Sequence, residues 1–365
     1  MPASGERVAV VLAAGKGIRM RAELPKVLHR AAGRPLLAWV LDAARAAGCG
    51  RILVVVGHGA EQVRAEIGGR DLTWVVQAEQ RGTGHALAQV EDRIAGQAQL
   101  LVLSGDVPLV SAGTLERLLA GAGAAAGWGA MAVADLAQPG ALGRVVARAG
   151  DGGGRRLERI VEAADASPDE LALPTVNAGL YALPAPGVFS YLAALEPANA
   201  QGELYLTAAL TAAAAAGRRI ELVRLDDPRE ALGVNDRAEL AEVHRRLLDR
   251  HLEALMRSGV TVLEPARTVV EATACVGPDT VLHPGVSLLG RTTVGAGCVL
   301  HQGAWVRDGR LGDGVTVEPY SVIDGAEVAG GARVGPCARL TAASRLLPGA
   351  REDPPIDDRS SCGEE

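Results

Sequence analysis

Between Val270 and Leu340 an aliphatic side chain recurs every six positions, and no other feature constrains the fold as tightly. Val270, Val276, Leu282, Leu288, Val294, Leu300 and Val306 keep the interval; one residue is dropped before Leu311, Val317 and Ile323, and another before Val328, Val334 and Leu340. A helix would repeat its apolar side every three to four residues and a half-buried strand every two. A period of six, with Gly or a polar residue and a turn after most of the aliphatics, belongs to a hexapeptide-repeat β-helix, in which each short face points one side chain inward. Irregular glycine-rich loops do not produce thirteen phased aliphatics. The repeat assigns 261–340 to this β-helix. Beyond it "AASRLLPGAREDPPIDDRSSCGEE" loses the phase, and its Pro, Asp, Glu and Ser content predicts a disordered tail over 341–365.

Upstream the period changes. Leu240, Val243, Leu247, Leu248, Leu252, Leu255 and Met256 stand at helical spacing with Arg and Glu between them, so 236–260 reads as an amphipathic linker helix. Residues 1–235 alternate apolar runs (VAVVL, ILVVVG, TWVVQ, QLLVLSGD) with longer helix-like segments, among them Pro35 to Ala47 and one reaching about Ala95. Continuous apolar strands separated by helices predict βαβ units and a parallel sheet covered on both faces, an open α/β domain. The glycine-rich breaks at Gly121 to Gly129 and Gly152 to Gly154 read as loops or hairpin turns.

Composition removes several functional classes. Aromatic residues make up 2% of the 365-residue chain and its formal charge is -6, which argues against a nucleic-acid partner. With no long apolar run and no signal-peptide pattern, no membrane insertion is expected and the reading is cytoplasmic. Cys49, Cys275, Cys298, Cys337 and Cys362 are scattered, without a C-x-x-C pair or a histidine at ligand spacing, so neither a disulfide framework nor a zinc site is expected.

The candidate chemistry begins at "VVLAAGKGIRMRAELPKVLHRAAGRP", Val10 to Pro35. Gly15 and Gly17 are followed by Met20 where a dinucleotide fingerprint needs a third small residue, and no G-K-[ST] closes a P-loop. What remains is a strand, a small-residue turn that lets backbone N–H groups approach an anion, and the cations Arg19 and Lys26 beyond it. In "LLVLSGDVPL" Asp106 stands just past a second buried strand, at the carboxyl end where open α/β sheets bind ligands. A carboxylate facing a cation-lined turn suits Mg2+ shared with phosphate oxygens, so a nucleoside triphosphate is the simplest occupant. His29, His58 and His85 could be imagined as acid/base groups, but they are read as structural, His85 as support for its own loop.

Six motifs then occur in one order: L-A-A-G-K-G-x-R-M-x5-P-K-V-L-H (Leu12 to His29), Q-A-E-Q-x-G-T-G-H-A (Gln77 to Ala86), G-D-V-P-L (Gly105 to Leu109), I-V-E (Ile160 to Glu162), N-A-Q-G-E-x-Y-L-T (Asn199 to Thr207) and G-V-N (Gly233 to Asn235). Together with the repeats, from about Val8 to Leu340, they resemble the bacterial bifunctional N-acetylglucosamine-1-phosphate uridylyltransferase/glucosamine-1-phosphate N-acetyltransferase family. The resemblance implies a Rossmann-like open mixed sheet in a nucleotidyltransferase domain, followed by a left-handed β-helix that supports a homotrimer, with Trp305 or Tyr320 as outward contacts. It implies UTP and N-acetylglucosamine 1-phosphate as substrates, made into UDP-N-acetylglucosamine for cell-envelope precursors. Leu12, Ala13, Ala14 and Gly15 would contact the nucleotide, Arg19 and Lys26 its phosphates as the catalytic cations, and Gln77, Gly82 and Thr83 the uracil edge. Asp106 and Asn235 would hold Mg2+, while Gly143, Glu162, Asn177, Glu203 and Tyr205 would line the sugar pocket. Taken by itself, Asn235 also reads as the N-cap of the helix that follows.

The chain departs from the family pattern at Ile18 (usually Thr), Ser104 (often Tyr), Ala178 (commonly Thr), Ala208 (commonly Asp) and in the "AADA" after Glu162, where a Lys is often found. The family's acetyltransferase site lies further along a longer β-helix than the repeat found here, so no acetyl-CoA-dependent activity is expected, whether the chain is a natural single-function enzyme or the product of a disrupted frame. The alternatives are another sugar-1-phosphate nucleotidyltransferase, using glucose 1-phosphate or dTTP, and a noncatalytic sugar-nucleotide sensor or scaffold.

Overall fold

The computed structural model describes residues 6–94, 96–123, 128–149, 155–196 and 202–352. Part of the expected tail (353–365), Cys362 and the Asn199 to Gln201 portion of one motif lie outside the described residues. The chain falls into two units, one built from residues up to His29 with Pro35–Val243, the other from Arg30–Arg34 and the chain from His244 onward. The division falls inside the helix that the sequence reads as a linker.

The apolar runs of the first unit become strands because their residues are buried on both sides. Strand β1 (Glu6–Ala13) is followed in the chain by a small hairpin of the second unit, β2 (Arg30–Ala31) with β3 (Arg34–Pro35), and then by β4 (Arg51–Val56), β5 (Leu72–Val76), β6 (Ala98–Ser104), β7 (Gly129–Asp135), β8 (Arg144–Ala149), β9 (Arg155–Val161), β10 (Thr175–Ala185) and β11 (Ile220–Arg224). Nine of these form one sheet in the order β5-β4-β1-β6-β10-β7-β11-β9-β8. Val8 and Val10 pack on one face with Leu206, Leu210 and Leu87, while Ala9 and Val11 pack on the other with Leu37, Val40 and Leu115. The helices of this unit are α1 (Leu36–Ala46), α2 (Ala60–Ile67), α3 (Thr83–Ala88), α4 (Ala112–Ala122), α5 (Pro168–Leu171), α6 (Gly187–Ala193) and α7 (Leu206–Ala215), of which α1 and α4 cover one side and α3 and α7 the other. Segment α3 stops at Ala88 and a short 3-10 turn, Glu91–Arg93, follows, so the helix expected up to about Ala95 is shorter.

The all-parallel reading of the apolar runs is corrected. β1 runs parallel to β4 and β6, but β10 is antiparallel to both β6 and β7. The open mixed sheet implied by the family resemblance is the one present. Between β7 and β10 the chain makes the antiparallel pair β8–β9 rather than a helical crossover, and without a crossover the next strand returns in the opposite sense.

In the second unit three ladders of short parallel strands replace the flat sheet. One runs through Thr261–Val262, Val281–Leu282, Val299–Leu300, Thr316–Val317, Arg333–Val334 and Arg351–Glu352. All the repeat aliphatics except half-buried Val276 are at most 5% exposed, and they pack on one another in a single column. The first dropped residue falls at the corner where Asp308 adopts φ 50° and a Cβ on Gly309 would stand 2.7 Å from Val306 Cγ1, so the shortened turn admits only glycine there. The ladders continue past Leu340, with rungs at Arg345–Leu346 and Arg351–Glu352. Helix α8 (Arg237–Arg257) shows the predicted amphipathic pattern, with Val243, Leu247, Leu248, Leu252 and Leu255 buried and Met256 39% exposed.

Because each coil rests on the next, a hole at one rung is felt by its neighbours. Leu300→Ala is expected to cost about 2 to 5 kcal/mol, read as faster amide hydrogen exchange at Val281, Val299 and Thr316 with little change in β1 or β6.

Candidate active site

The site grows from the parallel pairing of β1 and β6, whose carboxyl ends lie side by side with Leu12 opposite Ser104. Gly105 continues from β6 and donates its N–H to the Leu12 carbonyl at 2.9 Å. A Cβ there would stand 3.1 Å from that carbonyl oxygen, so the absence of a side chain is what lets the two chain ends stay together. After β1 the Ala13 to Gly17 turn bends away, Gly17 at φ 61°. The result is a cleft of about 1030 Å³.

Leu12, Ala13, Ala14, Gly15, Arg19, Lys26, Gln77, Gly82, Thr83, Asp106, Glu203, Tyr205 and Asn235 all line this cleft, so thirteen of the residues singled out from the sequence meet in one place. Lys16, Gln80 and the highly exposed Ile18 line it as well. Gly143, Glu162 and Asn177 are not among its lining.

At its floor the Lys26 ammonium is ion-paired with Asp106 and donates to Asn235 Oδ1 at 3.1 Å. The Lys26 and Asp106 side chains are only 15% and 17% exposed, so this is a partly dry electrostatic contact. The alternative reading of Asn235 as a helix cap is not what the structure shows. Asp236 Oδ1 accepts from Ala238 N and Glu239 N at 2.8 and 2.9 Å, capping α8, and Glu239 Oε2 returns to Asn235 N at 2.6 Å. Capping by the next residue leaves the Asn235 amide oxygen for the cleft. Two hard oxygens, one anionic and one neutral, thus converge on the position of a cation, which is a donor set that fits Mg2+ completed by phosphate oxygens. Among the described residues no group of three or more His, Cys, Asp or Glu could hold a metal without such help.

On the far wall, Gly82 and Gly84 press against the 203–205 segment: a Cβ on Gly82 would lie 2.6 Å from the Leu204 carbonyl oxygen, and Gly84 N donates to it at 2.7 Å. This contact brings Glu203 and Tyr205 to the cleft. Burial, then the Glu203, Glu162 and Asp165 carboxylates, pushes the Tyr205 phenol up. Glu162 itself accepts from Thr207 Oγ1 at 2.7 Å and turns its other oxygen toward Gly143. Asn177 sits at a bulge in β10, its Oδ1 accepting from Gly179 N at 3.0 Å and its Nδ2 donating to the Tyr181 hydroxyl at 2.7 Å. Thr207 and Glu239 were missed by sequence reasoning. Thr207 closes a quoted motif, and Glu239 stands four residues after Asn235, the spacing that lets a helical carboxylate reach back.

Of the three histidines, His29 is buried and its imidazole is pushed down by that burial. None of the three lines the cleft. His85 lies 2.9 Å from Gln77 Nε2 through Nδ1.

A strand-end cleft with a cation-lined turn, an acid and an amide oxygen defines a nucleotidyltransferase. The chain matches the MobA-like NTP transferase domain family over residues 9–258. It is 43% identical over 324 residues to the bifunctional protein GlmU of Syntrophotalea carbinolica, covering 88% of this chain and 69% of that one. To the bifunctional protein GlmU of Pelotomaculum thermopropionicum it is 44% identical over 343 residues, covering 93% and 73%. The crystal structure of a UDP-glucose pyrophosphorylase complexed with UDP-glucose superimposes with TM-score 0.54 at 18% identity, over 66% of this chain and 97% of that one, a likeness of fold. The chain belongs to the bifunctional GlmU family, the one its six motifs resemble.

Gly17 ties this geometry to a single backbone position, since a Cβ there would stand 2.8 Å from Lys26 Cβ in a left-handed conformation. Gly17→Ala is expected to displace Lys26 and lower nucleotidyl transfer by roughly tenfold to a hundredfold, measured as turnover on protein that still unfolds cooperatively.

Proposed function

We propose that the chain is an Mg2+-dependent N-acetylglucosamine-1-phosphate uridylyltransferase that joins UTP and the sugar phosphate into UDP-N-acetylglucosamine with release of pyrophosphate. The observation that carries the reading is the meeting of Lys26, Asp106 and Asn235 beneath the Ala13 to Gly17 turn. The attacking oxygen belongs to a phosphate that is already anionic near neutral pH, so no general base is required, in keeping with a cleft lined by no histidine. The protein's work is then to hold two anions in line and to offset their charge.

The turn from Leu12 to Gly15 presents its backbone to the nucleotide. Lys26 and Arg19 neutralise charge on the α-phosphoryl group and the departing pyrophosphate. Asp106 and Asn235 hold the Mg2+, which when bound withdraws charge from the phosphate oxygens. With triphosphate present, the Lys26 ammonium exchanges its carboxylate partner for phosphate. Gln77, Gly82 and Thr83 meet the base. Gly143, Glu162, Asn177, Glu203 and Tyr205 take the sugar, Glu162 being held by Thr207.

The product is an activated sugar for cell-envelope precursors, made in the cytoplasm where UTP is available; no helix of the described residues is long and apolar enough to cross a membrane. Acetyl transfer is assigned to none of the described residues, and acetylation of glucosamine 1-phosphate by the purified 365-residue chain would correct that. For the β-helix we propose a homotrimer, as the family resemblance implies, with Tyr320, 59% exposed, as an outward contact. Light scattering is expected to give three times the chain mass.

Pyrophosphate release from UTP and N-acetylglucosamine 1-phosphate is expected to require Mg2+ and to fall on the order of a hundredfold or more in Lys26→Ala. Glucose 1-phosphate is expected to be a poor substitute. Near-normal turnover of Lys26→Ala, or no release with any sugar phosphate despite UTP binding, would contradict the proposal.

A further inference from the structure

We infer that His85 is a positioning residue that sets base selectivity by fixing which edge of the Gln77 amide meets the nucleobase. The inference rests on the uridylyl reading above and goes further, because it concerns a side chain that does not line the cleft. Gln77 is 3% exposed, and its Nε2 lies 3.2 Å from the Gly82 carbonyl oxygen and 2.9 Å from His85 Nδ1. A carbonyl oxygen can only accept, so the Gly82 contact identifies the nitrogen end of the amide. That nitrogen carries two hydrogens, and the second is aimed at Nδ1.

A neutral imidazole has one acceptor nitrogen. Gln77 needs it at Nδ1, the shorter of the two ring contacts, which places the ring proton on Nε2. There the half-buried Gln89 amide, 3.2 Å away, accepts it through its oxygen after a turn of the amide, which gives up the 3.3 Å bond that Gln89 Nε2 otherwise donates to the His85 carbonyl.

With both amide hydrogens committed inward, Gln77 has only its carbonyl oxygen left for the cleft. An acceptor at that position suits the N3–H of a uracil ring and opposes the lone pair on N3 of cytosine. Without His85 one hydrogen of the amide loses its partner and the group is free to turn, offering either edge. The Gly82 carbonyl opposes that turn by itself, through the longer of the two contacts, so His85 sharpens a preference rather than creating it.

The test compares UTP and CTP in the wild type, His85→Leu and His85→Asn, by calorimetric binding and by kcat/KM. The wild type is expected to prefer UTP. His85→Leu is expected to lower the UTP to CTP ratio about tenfold, the loss falling on binding and KM rather than on kcat. His85→Asn puts an amide oxygen near the position of Nδ1 and is expected to restore most of the ratio. His85→Phe, which keeps a ring in the same space without an acceptor, serves where His85→Leu does not fold. An unchanged ratio in the Leu or Phe variant, or an equal loss in the Asn variant, would overturn the inference. Absence of turnover with N-acetylglucosamine 1-phosphate, with the UTP preference in binding present and dependent on His85, would instead defeat the functional proposal and leave this inference standing.

Discussion

The ammonium of Lys26, held between Asp106 and Asn235, is the contact on which the arrangement of the nucleotidyltransferase unit turns. Its partners lie 80 and 209 residues away in sequence. Such distances are bridged only because β1 and β6 run parallel and adjacent, ending level with each other, and because the segment before α8 returns to the same strand ends, where Val234 N donates to the Asp106 carbonyl at 2.9 Å. A carboxylate and an amide oxygen brought together out of bulk water need a cation. The lysine supplies one in the resting protein, and in the proposed function Mg2+ would answer the same electrostatic demand.

Glycines make this closeness possible where side chains would prevent it. Gly105 lets β6 lie against the end of β1, Gly17 makes room for the Lys26 stem, and Gly82 lets its loop press on the 203–205 segment. Each replaces a steric conflict with a backbone contact, so the cleft is shaped by main chain and its chemistry is left to a few charged and amide groups. The scarcity of aromatics has a matching consequence: Val, Leu and Ala fill the core on both sheet faces.

The β-helix was the most legible part of the chain, because a period of six leaves little freedom and each repeat aliphatic has a defined inward position. Its extension beyond Leu340 was less legible, since Arg345–Leu346 and Arg351–Glu352 continue the ladders through backbone pairing with only Leu346 to mark the phase. In the first unit the apolar runs announced strands but not their sense; the reversal of β10 depends on the β8–β9 excursion, a tertiary event with no local signature. The cleft residues were legible as types and motifs. What the sequence left hidden was how they hold one another: that Asp236 rather than Asn235 caps α8, that Thr207 holds Glu162, and that Gln77 meets His85 across a turn of chain. These are side-chain hydrogen bonds whose partners are chosen by packing.

The central claim is that the Lys26 site is a phosphate and metal site held closed by its own cation. A crystal structure of the chain with UTP and Mg2+ tests it most directly. The account predicts Lys26 Nζ on phosphate oxygens and the Asp106 and Asn235 oxygens on the metal. A triphosphate bound elsewhere, with Lys26 still paired to Asp106 and no metal between Asp106 and Asn235, would contradict it.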